Sequence, residues 1–145
     1  MRKPRPKTPW SSIDFPYAVR RDRTGRTYYP VVVAGIQTLR GVYPARLLLD
    51  SGADCTMLPK SFGELIGLDF GRLPALTVTG IEGRGMKAFK GPLCLQIGGL
   101  KLPPIPCLYA ASDRTPLLLG REGFFDLFDI CFDNRHKKLA LTRLF

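Results

Sequence analysis

The feature that most constrains this chain is the tetrad Asp50-Ser51-Gly52-Ala53, which directly follows the apolar run Leu47-Leu48-Leu49. The run indicates a strand that is apolar on both faces. A buried carboxylate without a partner is strongly destabilising, so an aspartate at the end of a core strand is either matched by a partner or neutralised. Asp, Ser and Gly are also common turn residues, and the tetrad alone is equally compatible with a strand followed by an Asx turn.

A second motif, Pro116-Leu117-Leu118-Leu119-Gly120-Arg121, follows the tetrad about 70 residues later. Between the two motifs, residues 79–85 contain three glycines, which predict the tip of a mobile hairpin because glycine readily adopts positive φ. The glycine spacing is Gly-x-x-Gly-x-Gly, unlike the fingerprint of dinucleotide sites, and no helix pattern follows it.

With these motifs in this order, the chain resembles the retropepsin-like aspartic proteases over residues 29–144. The resemblance implies an all-β fold, namely a single-lobed closed β-barrel with one or two short helices and a β-hairpin flap. We expect the protease-like domain to span residues 13–145, after a basic, proline-rich arm at residues 1–12. The 15 glycines and 13 prolines also favour short strands over a helical bundle.

Positive charge is concentrated at the start of the chain. Residues 1–26 contain eight basic and two acidic side chains, a net of +6 out of +10 for the whole sequence. We expect residues 1–12 to be a solvated, disordered arm. Weak contact of this arm with nucleic acid or an anionic surface is the functional alternative.

Composition also restricts location and cofactors. The basic start of the sequence is not followed by an apolar stretch typical of a secretory signal, and no apolar run is long enough to span a membrane. We therefore expect a cytoplasmic protein. The cysteines have wide, irregular spacings and are expected to be free and mostly buried: Cys55, Cys94, Cys107 and Cys131. A single histidine and the absence of Cys-x-x-Cys argue against zinc, and we expect no metal and no cofactor.

Local patterns predict a series of short elements. A hairpin is expected from strands at residues 13–19 and 27–33, and a closing hairpin from residues 128–132 and 139–144. Proline and glycine at the two ends of residues 59–67 predict a short helix, and residues 121–127 are a second candidate. Further strands are expected at residues 44–49, 73–79, 86–89, 93–97 and 105–109.

The single Asp-Ser-Gly motif determines what catalysis would require. Aspartic protease chemistry needs two facing carboxylates, and the chain has no internal repeat to supply the second. The resemblance therefore implies a homodimer in which Asp50 meets its own copy near a two-fold axis. Two carboxylates so close cannot both ionise, so the pair holds one proton. The ionised member then acts as general base on a water molecule, and the protonated member polarises the scissile carbonyl.

The resemblance also implies roles for individual residues. Ser51 would brace the two active-site loops across the dimer, and Gly52 would let backbone approach the carboxylates. Asp54 would contact the substrate backbone and pair with Arg121, with Gly120 and Arg121 supporting the loop from beneath. The remaining residues expected to bind substrate are Ala53, Leu48, Gly80, Ile81 and Leu118.

The sequence also bears on two other functions. The sequence does not fit a Ser-His-Asp hydrolase, because the motif Gly-x-Ser-x-Gly is absent and the single histidine, His136, lies in a basic predicted turn. A non-catalytic module that keeps the fold and the dimer but only binds a peptide or protein remains the alternative, because a fold does not fix a function. The intact Asp50, Ser51 and Gly52 favour an aspartic endopeptidase that acts on peptide or protein substrates.

Overall fold

The computed structural model of the chain describes residues 10–79 and 83–145, and most of its elements are strands. The helices are α1 (Lys60–Ile66) and a short 3-10 helix (Phe70–Arg72). The strands are β1 (Ser12–Pro16), β2 (Ala18–Asp22), β3 (Gly25–Tyr29), β4 (Val31–Thr38), β5 (Gly41–Leu49), β6 (Thr56–Pro59), β7 (Ala75–Thr79), β8 (Gly85–Leu93), β9 (Leu95–Ile97), β10 (Leu100–Lys101), β11 (Ile105–Ala110), β12 (Leu118–Leu119), β13 (Phe128–Asp133) and β14 (Lys138–Arg143).

The largest sheet has nine strands in the order β10-β9-β4-β5-β12-β6-β11-β8-β7. Strand β12 is parallel to β5, and β11 is parallel to β6, whereas the other neighbours are antiparallel. The outer strands β10 and β7 are not hydrogen-bonded to each other, so the closed barrel expected from the sequence is not found among the described residues. The all-β class is confirmed.

Two smaller sheets complete the fold. Strands β1, β14 and β13 form one sheet, and the predicted closing hairpin is its β13–β14 pair. Strands β2 and β3 form a separate two-stranded hairpin. The predicted hairpin strands at 13–19 and 27–33 each divide in two. The first divides at Tyr17, whose N–H donates to the Lys137 carbonyl at 2.8 Å, and the second divides at Pro30, which has no N–H for a ladder.

The core lies on the inner face of the large sheet and continues under the β1–β14–β13 sheet. Strand β5 alternates as an antiparallel or mixed-sheet strand should, with Ala45, Leu47 and Leu49 buried and Arg46 exposed. The three leucines at the end of β5 make both faces of the strand apolar, as expected, but only one face is buried, since Leu48 is half-buried. This alternation places Leu48 on the outer face.

Helix α1 confirms the prediction for residues 59–67. Pro59 stands at the N-cap, and Gly67 ends the helix in the left-handed conformation with φ of 90°. The second helix candidate, residues 121–127, is wrong, because this segment forms a series of turns. Gly123 interrupts it with φ of 80°, which a helical residue does not adopt.

Trp10, which precedes the expected domain boundary, packs against the folded part of the chain. Trp10 stacks on Phe128 with ring centroids 6.0 Å apart, and its Nε1–H donates to the Ile97 carbonyl at 3.1 Å. The folded part therefore includes Trp10, although the sequence places the boundary at residue 13. Residues 1–9 of the predicted arm lie outside the described residues.

The cysteines are free, as expected, but the expectation that most are buried is wrong. Cys107 is buried and Cys55 half-buried, whereas Cys94 and Cys131 are exposed. Within residues 10–79 and 83–145 no helix has the length and apolar character needed to cross a membrane. The same described residues contain no group of three or more His, Cys, Asp or Glu side chains arranged to hold a metal ion.

Candidate active site

Asp50 follows β5 and is fixed there by backbone hydrogen bonds to both neighbouring strands. Its N–H donates to the Leu119 carbonyl at 2.9 Å, and the preceding Leu49 N–H donates to the Pro30 carbonyl at 2.8 Å. The end of β5 is thereby held between the start of β4 and β12. Asp50 is half-buried at this point, so its carboxylate is presented at the surface of the chain from a well-packed strand.

The loop after Asp50 turns back on its carboxylate. The Gly52 N–H donates to Asp50 Oδ1 at 2.9 Å, and the Ala53 N–H donates to the Asp50 carbonyl at 3.2 Å. A Cβ atom at position 52 would lie 3.2 Å from the same Oδ1. The loop is thus an Asx turn, and it is also the turn that orients the candidate catalytic oxygen, so the two readings of the tetrad are compatible.

The second motif packs directly beneath this loop. The Gly120 N–H donates to Thr56 Oγ1 at 3.1 Å, and the Arg121 N–H donates to the Ala53 carbonyl at 3.0 Å. A Cβ atom at position 120 would come within 2.2 Å of the Cys55 carbonyl carbon, so only glycine fits between the two segments. Thr56 is fully buried and was not singled out in the sequence, although a threonine at the start of an otherwise apolar strand was a usable signal.

The Arg121 side chain joins the two motifs. One guanidinium nitrogen donates to the Ser51 carbonyl at 2.8 Å, and the other forms an ion pair with Asp54 Oδ1. The contact expected from the sequence is therefore present. In the single chain this pair is exposed, since the Asp54 side chain is 87% exposed and the Arg121 side chain 49% exposed. Water screening makes such a pair a weak contributor to stability.

A groove of about 470 Å³ opens beside the loop. The strands β6, β7, β11 and β12 form its walls together with the loop itself. Apolar side chains form most of the lining and polar side chains complete it, a combination that suits an extended chain with apolar side chains. The lining residues are Gly52, Ala53, Asp54, Cys55, Met57, Leu76, Thr77, Val78, Thr79, Leu108 and Leu118.

The site residues expected from the sequence are only partly gathered in this groove. Gly52, Ala53, Asp54 and Leu118 line it, and Asp50 lies just outside the lining, two residues before Gly52. Leu48 lines a different groove on the other side of β5. Gly80 and Ile81 lie outside the described residues, but the β7 and β8 strands on either side pair from Thr79↔Gly85 onwards, as the two arms of the expected flap should.

One lining residue of the groove, Cys55, belongs to a cluster of a thiol and two charged groups. The Cys55 thiol donates to Glu122 Oε2 at 2.9 Å, and Lys90 Nζ donates to Glu122 Oε1 at 3.1 Å. Burial, followed by the neighbouring Glu122 carboxylate, raises the pKa of Cys55 to about 11. The hydrogen bonds from Cys55 and Lys90 lower the pKa of Glu122. At neutral pH the Cys55 thiol is therefore protonated and weakly nucleophilic, and it contributes to the lining of the groove.

The comparisons with known proteins agree with this geometry. A family model described as "Aspartyl protease" matches residues 34–122, a span that includes Asp50, the groove and Gly120. No curated protein sequence matches the chain significantly.

Solved structures of the same fold have low sequence identity to the chain. A retropepsin-like aspartic protease from Rickettsia conorii is 21% identical with a TM-score of 0.60, and the match covers 90% of this chain and 98% of that one. EIAV protease complexed with the inhibitor HBY-793 is 24% identical with a TM-score of 0.51, covering 68% and 88%. The retroviral protease-like domain of Ddi1 from Leishmania major is 14% identical with a TM-score of 0.56, covering 80% and 94%. At these identities the likeness shows the fold.

Proposed function

This chain belongs to the aspartyl protease family, and from that premise we propose that it is a homodimeric endopeptidase whose paired Asp50 carboxylates activate a water molecule. The observation that carries the proposal is the placement of Asp50. The carboxylate stands at the end of β5, oriented by the Gly52 N–H at 2.9 Å, beside a groove suited to an extended peptide. One chain supplies one such aspartate, so the second carboxylate comes from a second copy.

The chemistry follows from two carboxylates that share a proton. The ionised Asp50 removes a proton from water as the oxygen attacks the peptide carbonyl carbon, while the protonated Asp50 of the other subunit donates its proton to the carbonyl oxygen. The C–N bond of the resulting tetrahedral diol then breaks as the carboxyl group that took the proton from water donates a proton to the leaving nitrogen, while the other, now ionised, carboxylate takes a proton from a diol hydroxyl. The two products are a free carboxyl end and a free amino end, and the pair again holds one proton.

The loop contributes by holding the reacting atoms in position. Gly52 has no side chain to block the approach of water or substrate to Asp50 Oδ1, and the Gly120–Thr56 contact supports the loop from the buried side. Ser51, which is exposed in the single chain, is available to brace the loop against its copy. Such positioning lowers the activation barrier because the groups need no rearrangement when charge develops.

Substitution of Asp50 tests the proposal. The wild type is incubated with a peptide library from mildly acidic to neutral pH, and cleavage is followed by mass spectrometry. Asp50→Asn and Asp50→Ala should lose essentially all turnover, because one change removes both carboxylates of the dimer. Asp129→Asn, at an exposed position of β13, is the control and should keep it. A statine-type inhibitor, whose hydroxyl takes the place of the attacking water, should block the wild type.

Each result of this experiment distinguishes an enzyme from a binding module. Turnover that persists in folded Asp50→Ala contradicts the mechanism. A wild type that binds peptides at the groove but cleaves none supports the non-catalytic module instead. Circular dichroism and thermal melting of each variant establish that loss of activity is not loss of fold. The cytoplasmic location and the weak contact of residues 1–12 with an anionic surface stay predictions.

A further inference from the structure

A second groove, of about 310 Å³, lies between the β2–β3 hairpin and the outer face of β5. We call it the hairpin groove. Its lining includes two arginines, one aromatic side chain and three aliphatic side chains: Arg20, Arg46, Tyr29, Val31, Leu48 and Leu117. None of these except Leu48 was selected from the sequence, because the hairpin and β5 are brought together only by the fold.

The hairpin groove and the active-site groove lie on opposite sides of Asp50. In the sheet order β4-β5-β12-β6-β11-β8-β7, the hairpin groove takes its sheet residues mainly from β4 and β5, and the active-site groove takes its from β12 to β7. Asp50 follows β5, between the two. Along β5 the outward positions are Arg46 and Leu48, and Asp50 comes next in the same two-residue period. Asp50 is therefore the next outward position after Leu48, which lines the hairpin groove.

The chemistry of the hairpin groove suits a glutamate side chain. No carboxylate is among its lining residues in the described part of the chain, and neither Arg20 nor Arg46 forms an ion pair there. Asp22, on the same face of β2 as Arg20, is held by the N–H and hydroxyl of Thr24 at 2.7 and 2.5 Å. Guanidinium groups bind carboxylates by paired, charge-assisted hydrogen bonds, and the aliphatic walls suit the methylenes of a glutamate.

A dimer built on Asp50 makes the hairpin groove part of the substrate cleft. A two-fold axis beside Asp50 would place the partner subunit's active-site groove on the side of β5 away from the chain's own groove, which is the side of the hairpin groove. A peptide that crosses both aspartates would then pass Arg20 and Arg46. Resting on the function proposed above, we propose that the hairpin groove is a second substrate subsite that selects a glutamate near the scissile bond through these two arginines.

Matched peptides test this proposal. A peptide that the wild type cleaves is varied so that each of four positions on either side of the scissile bond carries Glu or Gln in turn, and kcat/KM is measured for each pair. At one position we expect Glu to be preferred about tenfold, the effect of a charge-assisted hydrogen bond. In the Arg20→Gln and Arg46→Gln double variant the ratio should fall to near one. Arg40→Gln, an exposed arginine in the β4–β5 turn, is the matched control and should leave the ratio unchanged.

The outcomes separate this subsite from the proposed function. Cleavage that depends on Asp50 but shows no Glu preference at any position, or a preference that survives the double variant, overturns the subsite and leaves the protease standing. If no peptide is cleaved, the proposed protease function is refuted. Binding of labelled Glu and Gln peptides to the wild type, measured by fluorescence anisotropy, then tests the subsite separately. Equal binding of the two peptides would then refute it, and a Glu preference abolished in the double variant would support it.

Discussion

At the scale of single residues, the site depends most on Gly120. Its backbone lies so close to the Cys55–Thr56 peptide that a Cβ atom would lie 2.2 Å from the Cys55 carbonyl carbon and 2.3 Å from its oxygen. Backbone atoms on both sides of this contact belong to hydrogen-bonded strands or turns and cannot move apart freely. The requirement for glycine is therefore steric, since Gly120 does not have positive φ.

We predict that Gly120→Ala destabilises the chain by about 2 to 3 kcal/mol, because overpacking in a closed contact forces a backbone shift. Activity should fall further than stability, since the shift displaces the loop that carries Asp50. Urea unfolding of both proteins measures the change. Gly71→Ala is the control, because Gly71 is exposed and a Cβ there would meet only Asp69 Oδ1, at 3.3 Å. Equal stability of Gly120→Ala and the wild type would contradict the steric argument.

Cys55 is the second residue with a measurable property. Its pKa of about 11, raised by burial and then by Glu122, leaves a thiolate fraction at pH 8 about a hundredfold below that of an ordinary thiol. We expect iodoacetamide at that pH to label the exposed Cys94 and Cys131 first and Cys55 far more slowly. Peptide mapping by mass spectrometry gives the rate at each site. Labelling of Cys55 at the rate of Cys94 would show that the thiol is not held as described.

The raised pKa of Cys55 also predicts how the stability of the fold changes at alkaline pH. The folded chain binds the Cys55 proton more tightly than the unfolded chain does, so this contribution is fully present below the ordinary thiol pKa and is lost as pH rises towards 11. Glu122→Gln removes the carboxylate that helps raise the pKa, and labelling of Cys55 should then be faster.

At the scale of elements, the active-site loop and the turn after β12 are joined mainly by backbone hydrogen bonds, to which side chains add further contacts. Arg121 N–H and Glu122 N–H donate to the Ala53 and Asp54 carbonyls at 3.0 and 2.8 Å. The Arg121 side chain then adds the Ser51 carbonyl and the Asp54 carboxylate. The Arg121–Asp54 ion pair is largely exposed to water in the single chain, and this exposure limits its contribution to stability.

A double-mutant cycle with Asp54→Ala and Arg121→Ala measures that side-chain tie. We predict a coupling energy under about 1 kcal/mol for the single chain, as for other exposed ion pairs. Arg121→Ala alone should cost more than Asp54→Ala alone, because it also loses the bond to the Ser51 carbonyl. Arg121→Lys should restore little, since an ammonium cannot reach both partners with a planar fork. A coupling of several kcal/mol would indicate that the pair is shielded, as it would be in a dimer interface.

At the scale of the whole molecule, the central property is that one chain carries half of the proposed site. In the single chain the two grooves are separate, and Asp50 follows β5, between the strands that line them. A second copy would complete the carboxylate pair and join the grooves into one cleft. Activity must then follow the population of dimer.

We predict that specific activity falls when the protein is diluted through the dimer dissociation constant. Mixing wild-type chains with an equal amount of Asp50→Asn chains should reduce turnover per wild-type chain to about half, because random pairing places half of the wild-type chains in dimers with one carboxylate. Sedimentation at the same concentrations gives the dimer fraction. A stable monomer that cleaves peptides, or a mixture with undiminished turnover, would contradict the shared site.

Sequence alone determined those parts of this protein that depend on local chemistry. Asp50 after an apolar strand, glycine at position 52, the proline and glycine at the ends of α1, and the closing hairpin could all be predicted, because each depends on the conformations or contacts open to a few adjacent residues. The all-β class followed from the same punctuation by glycine and proline.

Tertiary structure alone decided which distant residues share a surface. Leu48 and Leu118 pair directly across β5 and β12 and yet line different grooves, because the groove on each side of Asp50 is built by different strands. Thr56 beneath Gly120, Cys55 against Glu122, and Arg20 beside Arg46 are each brought together by strand order. Local patterns carry no information about these contacts, since strand order is set by the packing of the whole core and not by the residues that meet at its surface.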